Sequence, residues 1–284
     1  GYAILGTLTR TNEKTDILLI KTDQFGNQIW EKTYGDSLND IGSSFCKTSD
    51  GGFIISGTSN DSVMNDNIYV IKTNQSGEII WEKEYGNQSK EEAVKIIETN
   101  DNAYIVLGKT NAANAWNGNP QGEDDIYMIK ISSEGDSLWS KTFGGPNSEE
   151  GIDICQKTDN GYIIVGSTNS FSEPGQALSN IIIIETNDLG VQIDKLTYGG
   201  TDNESGQSVI ILKDGYLITG TTFSFGSGQS DIYCLKIGTN IHDIIWSNTF
   251  GGSNDDIASS AIQTSDNNFV IAGNTNSFGE GDKD

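Results

Sequence analysis

One short motif recurs along the chain and limits what it can fold into. Trp30-Glu-Lys-Thr-Tyr-Gly35 returns as Trp81-Glu-Lys-Glu-Tyr-Gly86, Trp139-Ser-Lys-Thr-Phe-Gly144 and Trp246-Ser-Asn-Thr-Phe-Gly251. A fifth copy, Asp194-Lys-Leu-Thr-Tyr-Gly199, has lost the Trp, and the spacings are 51, 58, 55 and 52 residues. A second motif, an aromatic followed by three mostly apolar residues and Gly, occurs at Tyr2–Gly6, Phe53–Gly57, Tyr104–Gly108, Tyr162–Gly166, Tyr216–Gly220 and Phe269–Gly273. A period of this length marks tandem supersecondary units, each of which buries its apolar face only against its neighbours.

Four short strands fit within each period. In the second full unit, strand a is Glu92–Ile97 and strand b is Tyr104–Leu107, ended by Gly108. Strand c is Asp125–Lys130 and strand d is Ser137–Phe143. The strands are rich in β-branched and aromatic residues, and the breaks carry Gly, Asn, Asp or Ser. Glycine is abundant (34) and proline scarce (3), which suits many tight turns between short strands. Four strands in about fifty residues, repeated in tandem, predict an all-β β-propeller of four-stranded antiparallel blades.

Residues 1–284 then read as a single propeller domain running b–c–d, four complete units and a–b, or five full repeats plus a partial sixth. The tail Phe278–Asp284 reads as a b–c loop stopped before its next strand, so a piece of a longer array is expected. Strand a is expected innermost, because it carries the small residues Gly42, Ala93, Gly151, Ser205 and Ala258 where blades crowd together.

The units Gly161–Gly166, Asp125–Lys130, Asp231–Lys236 and Trp139–Gly145 resemble secreted bacterial and archaeal β-propeller repeat proteins, the delta-60-like and related repeats. That resemblance implies a secreted or cell-surface module and supplies no activity of its own. The stretch Ile68–Trp81 also resembles the tryptophan-docking repeat of pyrroloquinoline-quinone dehydrogenases, which implies a quinoprotein-type enzyme as one alternative function.

Charge excludes other classes. Seventeen basic residues against forty acidic ones give a net charge of −23, which repels phosphate backbones and anionic membrane surfaces. No apolar run approaches the roughly 20 residues that span a bilayer, so no membrane insertion is expected.

Several residues are candidates for chemistry. Before strand a, Asp40, Glu91, Glu149 and Asp256 hold equivalent positions, with Asn203 followed by Glu204 in the remaining copy. Carboxylates converging with backbone carbonyls are hard-cation chemistry, so calcium is the one metal considered; the alternative is a set of solvated turn acids. Strand a also carries Lys95, Asp153 and Gln207 at one position, against Ser44 and Ser260 elsewhere, and Asp153 is the candidate for a glycosidase using channel carboxylates. Cys46 and Cys155 stand where other copies have Ile97, Val209 and Ile262, and Cys234 stands among aliphatics, so all three read as packing residues. His242, the one histidine, falls in a c–d turn that is one residue longer than its sisters and reads as exposed.

The b–c loops vary most, and the longest holds Trp116 between Asn114 and Asn117, with Phe171 and Phe225 in later loops. An aromatic among amides stacks on a sugar ring or anchors a protein partner. The function expected is a non-enzymatic extracellular module binding a protein or glycan, with no cofactor.

Overall fold

Strands buried on both faces need apolar residues throughout, whereas strands with one wet face alternate. The computed structural model separates the two kinds within the complete four-stranded sheets. It describes residues 1–11, 14–36, 38–60, 66–86, 89–112, 123–171 and 178–279, all strand, turn or loop.

The chain forms two compact units, Gly1–Phe143 and Gly144–Asp284. The first unit holds three antiparallel sheets with strands paired in chain order. These are β1 (Ala3–Thr9), β2 (Thr15–Thr22) and β3 (Gln28–Tyr34); β4 (Asn39–Lys47), β5 (Phe53–Asn60), β6 (Asp66–Thr73) and β7 (Ile79–Tyr85); and β8 (Glu91–Glu98), β9 (Tyr104–Thr110), β10 (Asp125–Ile131) and β11 (Ser137–Phe143). The second unit holds β12 (Glu149–Gln156), β13 (Tyr162–Thr168), β14 (Asn180–Thr186) and β15 (Gln192–Tyr198); β16 (Glu204–Leu212), β17 (Gly215–Thr222), β18 (Asp231–Ile237) and β19 (Ile244–Phe250); and the pair β20 (Asp256–Gln263) and β21 (Phe269–Thr275). The sheets therefore run as b–c–d, four complete a–b–c–d sets and a–b.

Strands b and c form the cores. Tyr104–Leu107 of β9 and Ile181–Ile184 of β14 are buried on both faces, which is why they are nearly continuous in apolar residues. Strand d alternates: in β7, Ile79 and Ile80 are exposed, Trp81 and Lys83 half-buried and Tyr85 buried.

Within each unit, strand a seats one sheet on the sheet before it. β8 packs on β4, β5 and β6, and β16 packs on β12, β13 and β14. Small residues are required there, since a Cβ at Gly42 would press 3.1 Å from Ile17 Cγ2 and 3.2 Å from Leu5 Cδ1. In the fifth sheet the small residue is Gly206, opposite Gly220, and not Ser205. The five-residue interval from the d-strand glycine to the buried acid is constant, so the equivalents there are Glu204, Gly206 and Ser208 in place of Asn203, Ser205 and Gln207.

Strand d holds the next sheet by its c–d turn. Trp81 Nε1 donates to Ser133 O at 2.8 Å, Tyr85 Oη to Gly135 O at 2.6 Å and Tyr34 Oη to Gly77 O at 2.9 Å. The fourth sheet, which lacks the Trp, makes this link differently: Asp194 Oδ2 lies 3.0 Å from His242 Nε2. The missing Trp and the lengthened histidine turn are thus two sides of one contact. Cys46 and Cys155 pack against the cores of their units and Cys234 is itself buried in one, as their aliphatic counterparts imply.

Candidate functional site

The recurring acids before strand a are neither solvated nor open. Asp40, Glu91, Glu149, Glu204 and Asp256 are all buried, each at the turn between strand d and strand a. Glu149 accepts the Gly145 N–H at 2.6 Å and the Thr168 hydroxyl at 2.6 Å. Glu204 accepts Gly200 N–H at 2.8 Å and Thr222 Oγ1 at 2.9 Å, and Asp256 accepts Gly252 N–H at 2.8 Å and Ser277 Oγ at 2.7 Å. Asp40 accepts Asp36 N–H at 3.0 Å, and Glu91 accepts Thr110 Oγ1 at 3.0 Å. In Glu149, Glu204 and Asp256 one carboxylate therefore ties the turn before its own strand to the end of strand b or the residues just after it, which satisfies donors that burial would otherwise orphan. Burial pulls the Asp256 carboxyl upward, but hydrogen bonds from Thr275 and Ser277 outweigh it and leave the group below its ordinary value. Among the described residues no group of three or more His, Cys, Asp or Glu side chains is gathered to hold a metal ion.

The later loop aromatics answer to the same turns. Where strand d is followed by Gly144-Gly145, Gly199-Gly200 or Gly251-Gly252, the next b–c loop carries Ser170-Phe171, Ser224-Phe225 or Ser277-Phe278. A Cβ at Gly145 would sit 2.9 Å from Phe171 Cζ, and one at Gly200 would sit 3.0 Å from Phe225 Cζ, so ring and glycine are matched. Phe225 also stacks on Tyr233 (5.5 Å), which stacks on Tyr198 (6.0 Å). Phe171 lies under Lys195, whose ammonium is 3.0 Å from the ring centroid; desolvation lowers that lysine's pKa. Trp116, Asn114 and Asn117 lie outside the described residues.

The unusual strand-a side chains also have partners. Asp153 is buried and its Oδ2 accepts the Val209 N–H at 3.0 Å, joining two sheets of the second unit. Gln207 Nε2 donates to Ser205 Oγ at 3.0 Å, and Lys95 is half-buried. Lower on each sheet, a strand-c lysine meets an a–b turn aspartate: Lys72–Asp50 at 2.7 Å, Lys130–Asp101 at 2.7 Å and Lys236–Asp214 at 2.9 Å. The fourth sheet swaps the charges, with Glu185 on strand c and Lys157 in the turn 2.5 Å apart.

The first unit carries an open cavity of about 780 Å³ with an aromatic lining. Tyr2, Phe25 and Ile29 stand exposed at its rim, and Phe45 and Phe53 form its wall. Phe53 meets Trp30 edge-on at 5.9 Å and Phe45 at 6.3 Å. Lys21 Nζ lies 5.9 Å from the centroids of both Trp30 and Phe53 and donates to Gln75 O at 3.3 Å, while Lys47, Gln24 and Gln75 add polar groups. Local chemistry presents Phe25. Asp23 Oδ1 accepts the N–H groups of Phe25 (2.8 Å) and Asn27 (2.9 Å), and Gly26 takes the left-handed conformation (φ 85°) that lets the turn close. The Asn27 side chain and these N–H groups hold the Asp23 carboxyl below its ordinary value.

Sequence reasoning passed over Phe25 and Tyr2. The signal was weak: the turn position of Phe25 holds Ser76 and Glu134 in two sister repeats but an exposed Leu189 in another, and Tyr2 holds the aromatic position common to every repeat.

This architecture, tandem four-stranded antiparallel sheets seated through strand a, is that of β-propeller blades. Solved structures agree at the level of fold. The WD40 domain of Neurospora crassa Pan2 matches with a TM-score of 0.55 at 12% identity, covering 92% of this chain and 68% of that one. A protein of unknown function from Dyadobacter fermentans matches at 0.51 and 12% identity over 80% of this chain and 65% of that one. The Hadza microbial sialidase Hz136 matches at 0.51 and 8% identity over 89% and 57%. In sequence, the chain is similar to the regulatory protein FlaEY of Caulobacter vibrioides, with 23% identity over 246 residues. That match covers 79% of this chain but 25% of the relative's length. No family model matches the chain.

Proposed function

We propose that the chain is a non-enzymatic, extracellular β-propeller module, five full repeats plus a partial sixth, that binds a protein or glycan ligand. The observation that carries this reading is the aromatic cleft of the first unit. It offers Tyr2, Phe25, Phe45 and Phe53 as stacking and packing surface, with Lys21, Lys47 and Gln24 as directional polar groups. Concave, mostly apolar sites with a few placed polar groups are the usual form of a ligand pocket. The buried acids support the same reading, because their oxygens are engaged by turn N–H groups and strand-b hydroxyls.

A glycan array and a displayed-peptide library, each probed with wild-type chain and with Phe25→Ala and Tyr2→Ala, test the proposal. The expected result is one ligand class whose binding falls at least tenfold in both variants while their melting temperatures hold. Trp116→Ala, screened alongside, reports on the b–c loop as a second contact. Hydrolysis of an arrayed glycan by the wild-type chain overturns the non-enzymatic reading.

A further inference from the structure

Two complete sheets of the first unit meet at a junction that departs from the repeat. At the head of strand c, one residue bonds the residue before the recurring acid of the following sheet. Thr15 N–H donates to Asn39 Oδ1 at 3.2 Å, Ser179 N–H to Asn203 Oδ1 at 2.9 Å and Ser230 Oγ to Asp255 Oδ1 at 2.8 Å. Where the second sheet meets the third, the contact is an ion pair instead, Asp66 with Lys90 at 3.5 Å. That pair opens a network. Glu92 meets Lys90 through one oxygen and Lys109 through the other, at 3.0 Å, and Lys109 lies 3.5 Å from Asp124. Burial pulls the Glu92 carboxyl upward, but the two lysines outweigh it and hold the group below its ordinary value.

Beside this network, a cavity of about 340 Å³ is lined by residues of β4, β5, β6 and β8. Strand pairing builds one wall. Asn39, Asn60 and Asp66 are register partners across β4, β5 and β6, and Ile41 pairs with Thr58 two places along. Ser43 and Glu92 extend the polar lining. Asn60 Nδ2 donates to Asp66 Oδ1 at 2.6 Å, so its amide oxygen is the acceptor side. Asn39 Oδ1 is held by Thr15, so its NH₂ is the donor side. Ile41 stands 51% exposed, at a position where sister strands carry Glu92 and Glu150.

We infer that this cavity binds one pyranose unit of a neutral carbohydrate. A sugar ring offers hydroxyls that both donate and accept, together with a face of C–H groups. The cavity answers with an amide donor, an amide acceptor, carboxylates kept ionised as acceptors, and Ile41 as an apolar plate. A divalent cation fits less well, because both Glu92 oxygens already hold ammonium groups. An anionic ligand meets Asp66 and Glu92 in a chain of net charge −23. The volume lies near the small end of ligand pockets, which suits a single ring better than a run of peptide side chains. The inference rests on the binding-module reading, commits it to a neutral glycan, and places a site that shares no lining residue with the aromatic cleft.

The probes are methyl α-glucoside, methyl α-mannoside, methyl β-galactoside and methyl β-glucuronide, titrated at millimolar concentration against the full chain and read by saturation-transfer NMR. At least one neutral glycoside is expected to saturate the chain, with the glucuronide at least tenfold weaker. Asn60→Leu removes the amide and is expected to lose binding of that glycoside at least tenfold. Ile41→Glu is expected to do the same and to melt with wild type, because sister strands already carry glutamate there; it keeps the test decisive should Asn60→Leu fail to fold. Binding is expected to persist in Phe25→Ala. No binding by any neutral glycoside, a preference for the glucuronide, or binding unchanged in Ile41→Glu overturns the inference. Binding abolished by EDTA assigns the acids to a cation and overturns it equally. A glycoside or displayed peptide that is lost in Phe25→Ala but retained in Ile41→Glu and Asn60→Leu leaves the module reading standing while the sugar cavity falls.

Discussion

Replacing Glu149 with Ala tests whether the recurring acids hold the fold together. Its carboxylate accepts two buried donors, the Gly145 N–H and the Thr168 hydroxyl, each at 2.6 Å. A hydrogen bond to a charged group contributes about 1.5–3 kcal/mol net, and a buried donor left unpaired costs about 1–3 kcal/mol. Water entering the space left by the side chain recovers part of this, so Glu149→Ala is expected to cost about 3–4 kcal/mol. For a chain of this size that is a fall of roughly 6–12 °C in melting temperature, read by calorimetry. Glu149→Gln keeps its oxygen for the Gly145 N–H and can donate its NH₂ to the Thr168 hydroxyl, which also accepts, so it loses mainly the charge and falls nearer wild type, at about 1–2 kcal/mol. A fully solvated acid in a chain of net charge −23 behaves oppositely, since its removal relieves repulsion and raises the melting temperature slightly. An Ala variant that melts with or above wild type refutes the hub argument. So does a wild-type melt raised by millimolar calcium whose increment vanishes in Glu149→Ala, because that pattern belongs to a cation ligand.

Other expectations follow from the same contacts. Trp81→Ala removes a half-buried indole packed on Tyr104 and bonded to Ser133 O, and should cost about 2–4 kcal/mol by chemical denaturation; an unchanged midpoint contradicts the clasp role of strand d. Asp194→Ala, which breaks the exposed pair that replaces such a Trp, should leave the melting temperature essentially where it is. The Lys72 ammonium beside Asp50 holds that carboxyl down at about 2, and the net shift of Asp101 is likewise downward because Lys130 and Thr99 outweigh burial. Depressed carboxyls contribute stability that is complete above the unfolded value near pH 4 and is lost as pH falls toward 2, so Lys72→Met should flatten the acid limb of a stability–pH curve. Burial pushes the Cys46 and Cys234 thiols up to about 11 and Cys155 to about 12, so a disulfide reagent at pH 8 should label them slowly until denaturant is added; rapid labelling of the folded chain contradicts their place in the cores.

The repeat made the architecture legible, because each strand's role is written in local chemistry. β-branched and aromatic content within the repeat gave the strands, and Gly, Asn, Asp and Ser marked the turns; each of these depends on residues a few positions apart. The Cys residues could be assigned to packing by comparing repeats, since equivalent positions share one environment. The acids could not. Glu149 looks like any acidic turn residue, and whether its carboxylate faces water or a turn N–H and a hydroxyl depends on the end of strand b, some twenty residues away, pairing beside it. The one-residue slip at Asn203 and Ser205 has a similar cause: the pairing of Gly206 with Gly220 fixes the register, and pairing is a relation between strands. The Asp194–His242 contact joins two departures 48 residues apart, each of which alone reads as a blemish in its repeat. Sequence by itself thus determined the strands, their order and the small residues between sheets, since these follow from periodicity and side-chain size. Tertiary structure alone decided which acids are buried and which aromatics line a cleft, because solvent access and hydrogen-bond partners are set only when distant segments pack together.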